Sequence, residues 1–469
     1  MVAVRMKSEL CLLAAWTAFS AGALTVTVDP AGDAGPVKPM NGVNNGPVVA
    51  WGSSDSGNYD RGRSNFAWYK ALEIPFARTH DANFFNLYGG PHTVDVTAVF
   101  PDFDKDERDP ASYDFACTDK YLSEIRAAGA EIVYRLGQTI EYPVKKYGVV
   151  PPKDDAKWAR ICEGIVRHYN EGWANGFRWN VRKWEIWNEA DNWATNRPAT
   201  CWCGSPARFH DFYETAARHL KKTFPGLEIG GPAVGWNEAW AEEFIVEMGR
   251  RKVPIDFFSW HCYAQRPEQV VRRAKKMRAL LDANGYAGVP TTLDEWNYIR
   301  GWTDEIVYSL RAEQGMKGAA FAAGVMCAAQ TAPVDFLCYY DARPSEWNGI
   351  FDRTSFRPLK GYWAFLAWRD LRRLGRALPV TVDGAGLYAA AARDDAGRLG
   401  VLVVRYTDDD NDVKPKEVTV RLAGGAFRNP RCRMTDADLA ASESPVRADG
   451  AALTLTLEPN AFVYIESER

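Results

Sequence analysis

The chain has 469 residues, 46% apolar and 25% charged, with a formal net charge of −3. That length exceeds one ordinary core and calls for two domains, or a large barrel with a smaller module, and the composition is that of a folded soluble protein. The near-zero net charge removes the electrostatic case for a nucleic-acid partner. The 18 Trp and 20 Tyr supply a core and also the flat, polar-tipped faces that line pockets.

At the start of the chain Arg5 and Lys7 precede an apolar run, Leu10–Trp16, and Ala21 and Ala23 follow as a small-x-small pair. This predicts an export signal over residues 1–23 and a secreted or periplasmic product. The run is too short to span a bilayer comfortably and Glu9 interrupts its start, so no integral membrane segment is expected in the mature chain. Removing the signal leaves eight of nine cysteines, whose scattered spacing defines no disulfide framework. Cys162 and Cys327 lie on helical apolar faces and read as buried thiols. Cys201-Trp202-Cys203 lacks histidines at ligand spacing and argues for no zinc; a loop disulfide from it to another cysteine stays open.

Residues 24–378 read as one domain of alternating strands and helices. Short β-rich runs are predicted at Met40–Asn44, Ile74–Arg78, Glu131–Arg135, Lys183–Trp187, Leu227–Gly230, Ile255–Trp260, Thr291–Glu295 and Val334–Tyr339. Between them apolar residues step by three and four, as in Trp158, Ile161, Cys162, Ile165, Val166 and Tyr169, or Phe209, Phe212, Tyr213, Ala216 and Leu220, or Val270, Ala274, Met277 and Leu281. Pro225-Gly226, Pro254 and Gly288-Val289-Pro290 close helices before the next strand. Eight strand–helix units predict an α/β fold, a (β/α)8 TIM barrel, over an open doubly wound sheet, because no Gly-rich nucleotide loop follows an early strand. The connection 81–116, with Asn83-Phe84-Phe85, His92 and a run of acidic residues, is far longer than a usual βα loop and reads as pocket wall. From 379 to 469 the helical period gives way to short alternating runs (Gly386–Ala390, Leu399–Val404, Val418–Leu422, Leu453–Leu457, Phe462–Ile465), which predict an antiparallel β-sandwich domain. Residues 24–30 alternate in the same way and are a candidate extra strand of it.

In a barrel the polar residues at the C-terminal ends of strands face the substrate. Here those ends are Arg78-Thr79-His80, Arg135-Leu136-Gly137-Gln138, Asn188-Glu189, His261-Cys262-Tyr263, Asp294-Glu295-Trp296-Asn297 and Asp341, with Trp347 in the loop beyond. Glu189 and Glu295, from strands on opposite sides of the barrel, are the candidate pair for acetal hydrolysis, one to protonate the leaving oxygen and one to meet the developing oxocarbenium ion. A separation of about 5–5.5 Å would dictate retention of configuration and roughly 6.5–9.5 Å inversion. Trp202, Trp296 and Trp347 are candidate sugar-stacking faces, each against a core reading; Arg78 also reads as an ion pair bracing the mouth, and His261 as a buried histidine.

Asn188-Glu189 after the fourth strand and Glu295 after the seventh resemble the signature of the clan A glycoside hydrolases. Through Ile74–His80, Trp184–Glu189, Gly230-Gly231-Pro232, Phe258–Tyr263 and Thr292–Asn297 the chain is most similar to glycoside hydrolase family 39, which holds β-xylosidases and α-L-iduronidases. One departure is Ala190, where the family usually carries proline after Asn-Glu. The resemblance implies a retaining O-glycosyl hydrolase acting on a carbohydrate, without metal or organic cofactor. It implies Glu189 as acid/base, Glu295 as nucleophile, Asn188 on the hydroxyl beside the anomeric carbon, and Tyr263 holding the nucleophile. His261, Arg78 and His80 become polar groups of the pocket. A nearby Arg or phenol would keep Glu295 ionised, and a drier setting beside a carboxylate would keep Glu189 protonated. Cleavage of terminal sugars, β-xylosidase-like, is the first expectation. A uronic-acid substrate, held by Arg78, Arg135 or Lys145, is the alternative enzyme reading. A non-catalytic sugar-binding barrel or a cell-surface structural protein are the others.

Overall fold

A computed structural model describes residues 24–49, 64–80, 93–195 and 199–468. The predicted export signal, Asn83-Phe84-Phe85 and His92 lie outside them. Among the described residues no helix is long and apolar enough to cross a membrane. The strands in chain order are β1 (Leu24–Val28), β2 (Gly42–Asn44), β3 (Phe76–Arg78), β4 (Glu131–Leu136), β5 (Lys183–Ile186), β6 (Glu228–Val234), β7 (Phe258–Ala264), β8 (Thr291–Tyr298) and β9 (Phe336–Tyr339). Then come β10 (Arg376–Leu378), β11 (Val380–Asp383), β12 (Leu387–Arg393), β13 (Leu399–Arg405), β14 (Lys416–Leu422), β15 (Arg428–Thr435), β16 (Ser442–Ser444), β17 (Arg447–Asp449), β18 (Ala452–Leu457) and β19 (Ala461–Glu468). The helices are α1 (Phe66–Ala71), α2 (Val96–Val99), α3 (Ala116–Ala128), α4 (Asp155–Asn170), α5 (Pro206–Thr223), α6 (Glu238–Arg251), α7 (Pro267–Ala283), α8 (Ile306–Glu313), α9 (Met316–Ala329) and α10 (Lys360–Leu374).

Strands β2 to β9 close into a parallel barrel in sequence order, as the eight-unit reading required. The helices form where the sequence both starts and stripes them. Asp154 caps α4 by accepting from the Lys157 N–H at 3.0 Å, and Ser205 caps α5 from the Arg208 N–H at 3.2 Å, with Pro206 at its first position. The predicted stripes Trp158–Tyr169 and Phe209–Leu220 are buried against the barrel, and each such large apolar side chain contributes about 1.5–3 kcal/mol. Several strand bounds shift, those of the fifth and sixth barrel strands among them. The sixth barrel strand starts at Phe258 rather than Ile255, because Asp256 turns to bond Ile229 on both its main chain and its carboxylate. The fifth runs on to Val234 past an irregular register.

The sandwich holds one sheet ordered β11-β1-β14-β18-β17 and a second ordered β10-β12-β13-β19-β15-β16, around a core that includes Val26, Val401, Val420, Leu453 and Ile465. The N-terminal strand β1 belongs to it, antiparallel to β11 and parallel to β14; that parallel pairing departs from the wholly antiparallel expectation, because β1 enters from the far end of the chain. The outer face of the second sheet is continuous with the barrel's core, since Ala392, Leu402, Val404, Phe462 and Tyr464 cluster with barrel residues.

The candidate active site

Glu189 leaves β5 through a tight backbone. Trp187 and Glu189 both take left-handed dihedrals (φ 76° and 50°), costly for non-glycine residues. The bend is held by the Trp187 N–H on the Leu136 carbonyl at 2.6 Å and the Glu189 N–H on the Ala233 carbonyl at 2.9 Å. Glycines make the room: a Cβ on Gly137 would lie 3.0 Å from Trp187, and one on Gly235 2.9 Å from Glu189 Oε1. Asp191 then accepts the backbone N–H groups of Gly235, Trp236 and Asn237 at 2.7–2.9 Å, tying the loop after β6 to the loop that carries Glu189. Burial, with the charge of Glu189, lifts the Asp191 carboxyl above its usual range despite those donors.

Glu295 is aimed by a β-bulge. Trp260 pairs with Leu293 and His261 with Glu295, so Asp294 is the extra residue of β8. Asp294 and Glu295 consequently both reach the barrel interior, where Arg78 forms an ion pair with each: its Nε lies 3.3 Å from Asp294 and its Nη1 3.2 Å from Glu295 Oε2. The same guanidinium donates to Glu185 at 2.7 Å, Asn44 at 3.1 Å and Asn188 Oδ1 at 2.7 Å. Burial works against its charge, and the carboxylates of Glu185, Asp294 and Glu295 outweigh that and hold its proton tighter. Burial and the adjacent Glu185 push Asp294 well up, whereas Arg78 holds Glu185 down against its own burial.

On its pocket side Glu295 Oε1 accepts the Tyr263 hydroxyl at 2.7 Å, and Oε2 lies 3.3 Å from His80 Nε2. Burial, reinforced by Glu189, raises the Glu295 carboxyl above its ordinary value, against the pull of His261, Arg78 and the Tyr263 hydroxyl. His261 Nδ1 is 2.9 Å from Glu189 Oε1 and 3.7 Å from Glu295 Oε2; burial lowers its pKa to about 4, so it is neutral near pH 7. One carboxylate oxygen of each glutamate and a ring nitrogen of His261 lie within 4.8 Å of one another. A cation there would compete with the donors that already hold Glu295, including the Arg78 guanidinium.

The pocket has a volume of about 550 Å³, and His80, Glu189, Tyr263, Glu295 and Trp347 of the sequence candidates line it. The other candidates stand elsewhere. Arg78 is fully buried and grips the carboxylates from below, so its place is the ion-pair brace and not the pocket surface. Asn188 is buried with its Oδ1 on Arg78, and its Nδ2 has no partner among the described residues. His261 is buried behind the two glutamates. Trp202 and Trp296 are core residues, not stacking faces: Trp202 packs on Trp187, Phe209 and Phe212, and Trp296 on Phe321 and Tyr339. The drier glutamate is also the reverse of expectation, with side-chain exposure of 15% for Glu189 and 6% for Glu295.

The basic residues read as uronate ligands are engaged too, Arg135 with Asp95 at 2.7 Å and Lys145 over the Tyr147 ring at 5.0 Å; Arg273 is the Lys or Arg among the described lining residues. The eight described cysteines are free thiols, Cys201 and Cys203 included, and Cys162 and Cys327 are buried. Sequence reasoning missed Trp236, Trp302 and Tyr340 in the lining. Tyr340 follows directly on β9, Trp236 stands two residues past β6, and Trp302 sits in the loop after β8, so their signal was an aromatic shortly past a strand end.

Residues 94–305, a span that holds both glutamates, match the family model of glycosyl hydrolases family 39. A curated β-xylosidase of Geobacillus stearothermophilus is 30% identical over 181 residues, 34% of this chain and 34% of that protein, so the match spans about a third of the relative. A solved glucosidase from Croceicoccus marinus has the same fold, with a TM-score of 0.73 at 23% identity over 95% of this chain and 99% of that one. So has a monomeric β-xylosidase from Caulobacter crescentus CB15, at 0.65 and 18% over 95% and 99%. So too an α-L-arabinofuranosidase from Thermotoga maritima, at 0.67 and 16% over 95% and 100%. The resemblance carried by the strand ends is thus borne out: through residues 94–305 the chain is similar to glycosyl hydrolases family 39.

Proposed function

We propose that this protein is a retaining O-glycosyl hydrolase that removes terminal sugars by double displacement, β-xylosidase-like in its first preference. The observation that carries the reading is the approach of the Glu189 and Glu295 oxygens to within 4.8 Å across the pocket, short of the roughly 6.5–9.5 Å that leaves room for an inverting water. In the first step the Glu295 carboxylate bonds the anomeric carbon, the bond to the leaving oxygen breaks, and the proton of Glu189 goes to that oxygen. In the second, water attacks the same carbon, Glu189 takes a proton from it, and the ester bond to Glu295 breaks. Once the ester has formed Glu295 carries no charge, and Glu189, ionised after giving up its proton, is the base of the second step. Asn188 keeps Nδ2 free for the hydroxyl beside the anomeric carbon while Arg78 fixes its Oδ1. The curated β-xylosidase relative supports the choice of xylosides.

The test is a panel of aryl glycosides with the anomer of the first product followed by NMR. Turnover of a β-xyloside with retention is expected, and Glu295→Ala abolishing it. Intact turnover in that variant, or an inverted first product, rejects the mechanism. A uronic-acid substrate is the second reading, now resting on Arg273 in the lining; faster turnover of aryl uronides than xylosides selects it. The charged start, apolar run and small residues of 1–23 support export, to be checked by sequencing the N-terminus of the extracytoplasmic protein.

A further inference from the structure

Two of the contacts between the domains differ in character. One is apolar: α9 and α10 pack on β12 and β13, with Leu402, Val404, Phe462 and Tyr464 continuous with the barrel core. The other lies past the end of β8 and is almost wholly polar. Arg300 donates to the Asp408 carbonyl at 2.7 Å, to the Asp408 carboxylate at 3.0 Å and to Asp410 at 3.0 Å, and its guanidinium lies 4.0 Å from the centre of the Tyr308 ring. Lys317 of α9 donates to the Asp408 carbonyl at 2.9 Å and to Asp410 at 2.6 Å. The Tyr298 hydroxyl reaches Asp408 at 2.5 Å and the Tyr308 hydroxyl Asp410 at 2.6 Å. Tyr406 donates to the Gln265 carbonyl, and Gln265 Nε2 donates to the Arg300 carbonyl at 2.7 Å.

These grips fall beside the pocket. Gln265 stands two residues after Tyr263, which holds Glu295, and Arg300 stands two residues before Trp302. Trp302 lines the pocket, is 58% exposed, and meets Tyr263 edge-on at 5.0 Å and Trp347 at 5.9 Å. An indole with so little packing owes its position to its backbone, and that stretch, irregular between β8 and α8, is fastened to the sandwich through Arg300. Two cations meet two carboxylates there, in a network with shared partners, an arrangement that holds geometry better than an isolated surface pair.

We infer that the Tyr406–Asp410 segment of the sandwich is a positioning element of the pocket, holding the Trp302 wall in place for the sugar, so that the sandwich takes part in substrate binding. The inference rests on the proposed function for what occupies the pocket.

The test compares Asp408→Ala/Asp410→Ala, Trp302→Ala and their combination in the full chain, with the aryl glycoside that the wild type turns over best. The paired aspartate variant is expected to raise KM about tenfold with kcat within about twofold. Trp302→Ala should do the same, and the combination should do no more than Trp302→Ala alone, because both act through one side chain. Asp410→Glu in the Asp408 wild-type background should keep KM near the parent. Hydrogen exchange over residues 299–305 should quicken in the aspartate variant while β4 to β6 stay protected. Additive effects on KM, or a lower Tm with KM and exchange unchanged, overturn the inference. A wild-type protein that turns over no glycoside defeats the proposed function instead, and the exchange measurement then decides whether the segment positions the wall.

Discussion

Tyr263→Phe removes one hydroxyl and little else. That hydroxyl donates at 2.7 Å to Oε1 of Glu295, whose other oxygen is held by Arg78 at 3.2 Å. A hydrogen bond to a charged acceptor contributes about 1.5–3 kcal/mol. Water entering from the open pocket replaces part of it, so the loss is taken as about 1.4–2.7 kcal/mol, which is roughly 10- to 100-fold in rate and about one to two units of pKa. The donor stabilises the ionised form. Glu295 already titrates above the ordinary carboxylate range because it is buried, and without the phenol its pKa rises further. Activity needs the carboxylate, so the acid limb of kcat/KM moves to higher pH in the variant, and the deficit is largest on the acid side. The assay is the pH profile of kcat/KM on the preferred aryl glycoside, read with the melting temperature at each pH. An unmoved acid limb with wild-type kcat/KM would show that Tyr263 does not hold the nucleophile. An unmoved limb with a large uniform loss would mean that the hydroxyl acts on the substrate and not on the ionisation of Glu295.

Three further outcomes follow from the same geometry. Arg78→Met strands Glu185 and Glu295 in the barrel interior without their cation. It should lower stability by about 3–5 kcal/mol near neutral pH, and the deficit should shrink as pH falls and the carboxylates protonate; a urea midpoint within error of wild type would refute the brace. Trp202→Ala empties a core site among Trp187, Phe209 and Phe212 and should cost about 3–5 kcal/mol with KM little changed, whereas a stacking residue would show the opposite. Glu295→Gln tests the sign of the burial effect. A carboxyl whose folded pKa is raised stabilises the fold below its unfolded pKa and loses that contribution as pH rises through the folded value. The glutamine should therefore melt above wild type at neutral pH, with the advantage vanishing in acid, as thermal melts across pH would report.

What could be seen in the sequence divides along a physical line. A strand end is a local property, fixed by where a β-rich run stops, so Glu189, Glu295, Tyr263 and His80 could be placed at the mouth before any coordinates. Which way a side chain leaves a strand depends on register, and register is set by partners distant in sequence. Trp296 illustrates this. Side chains alternate along a strand, so with Glu295 turned inward its neighbour must face the helical layer, where Phe321 of α9 meets it. The alternation alone would have counselled against reading both as pocket residues. It would equally have counselled against Asp294 and Glu295 both pointing inward, and there the bulge intervenes.

Arg78 marks the deeper limit. A strand-end arginine looks the same in sequence whether it greets a substrate or braces a floor, and only the convergence of Glu185, Asn188 and Glu295 from β5 and β8 decides for the floor. That convergence gives the arginine a role no pocket residue could fill. One guanidinium fixes Glu295 and the asparagine beside Glu189, so the spacing between the two halves of the site is set from a single buried charge. The proposed covalent route depends on that spacing. The substrate-facing walls, by contrast, hang on loops after β6 and β8, and each is pinned from outside the barrel floor, by Asp191 in one case and by the sandwich in the other. Reactivity and substrate preference thus rest on separate supports, and substitutions in the walls can change the sugar without disturbing the pair of glutamates.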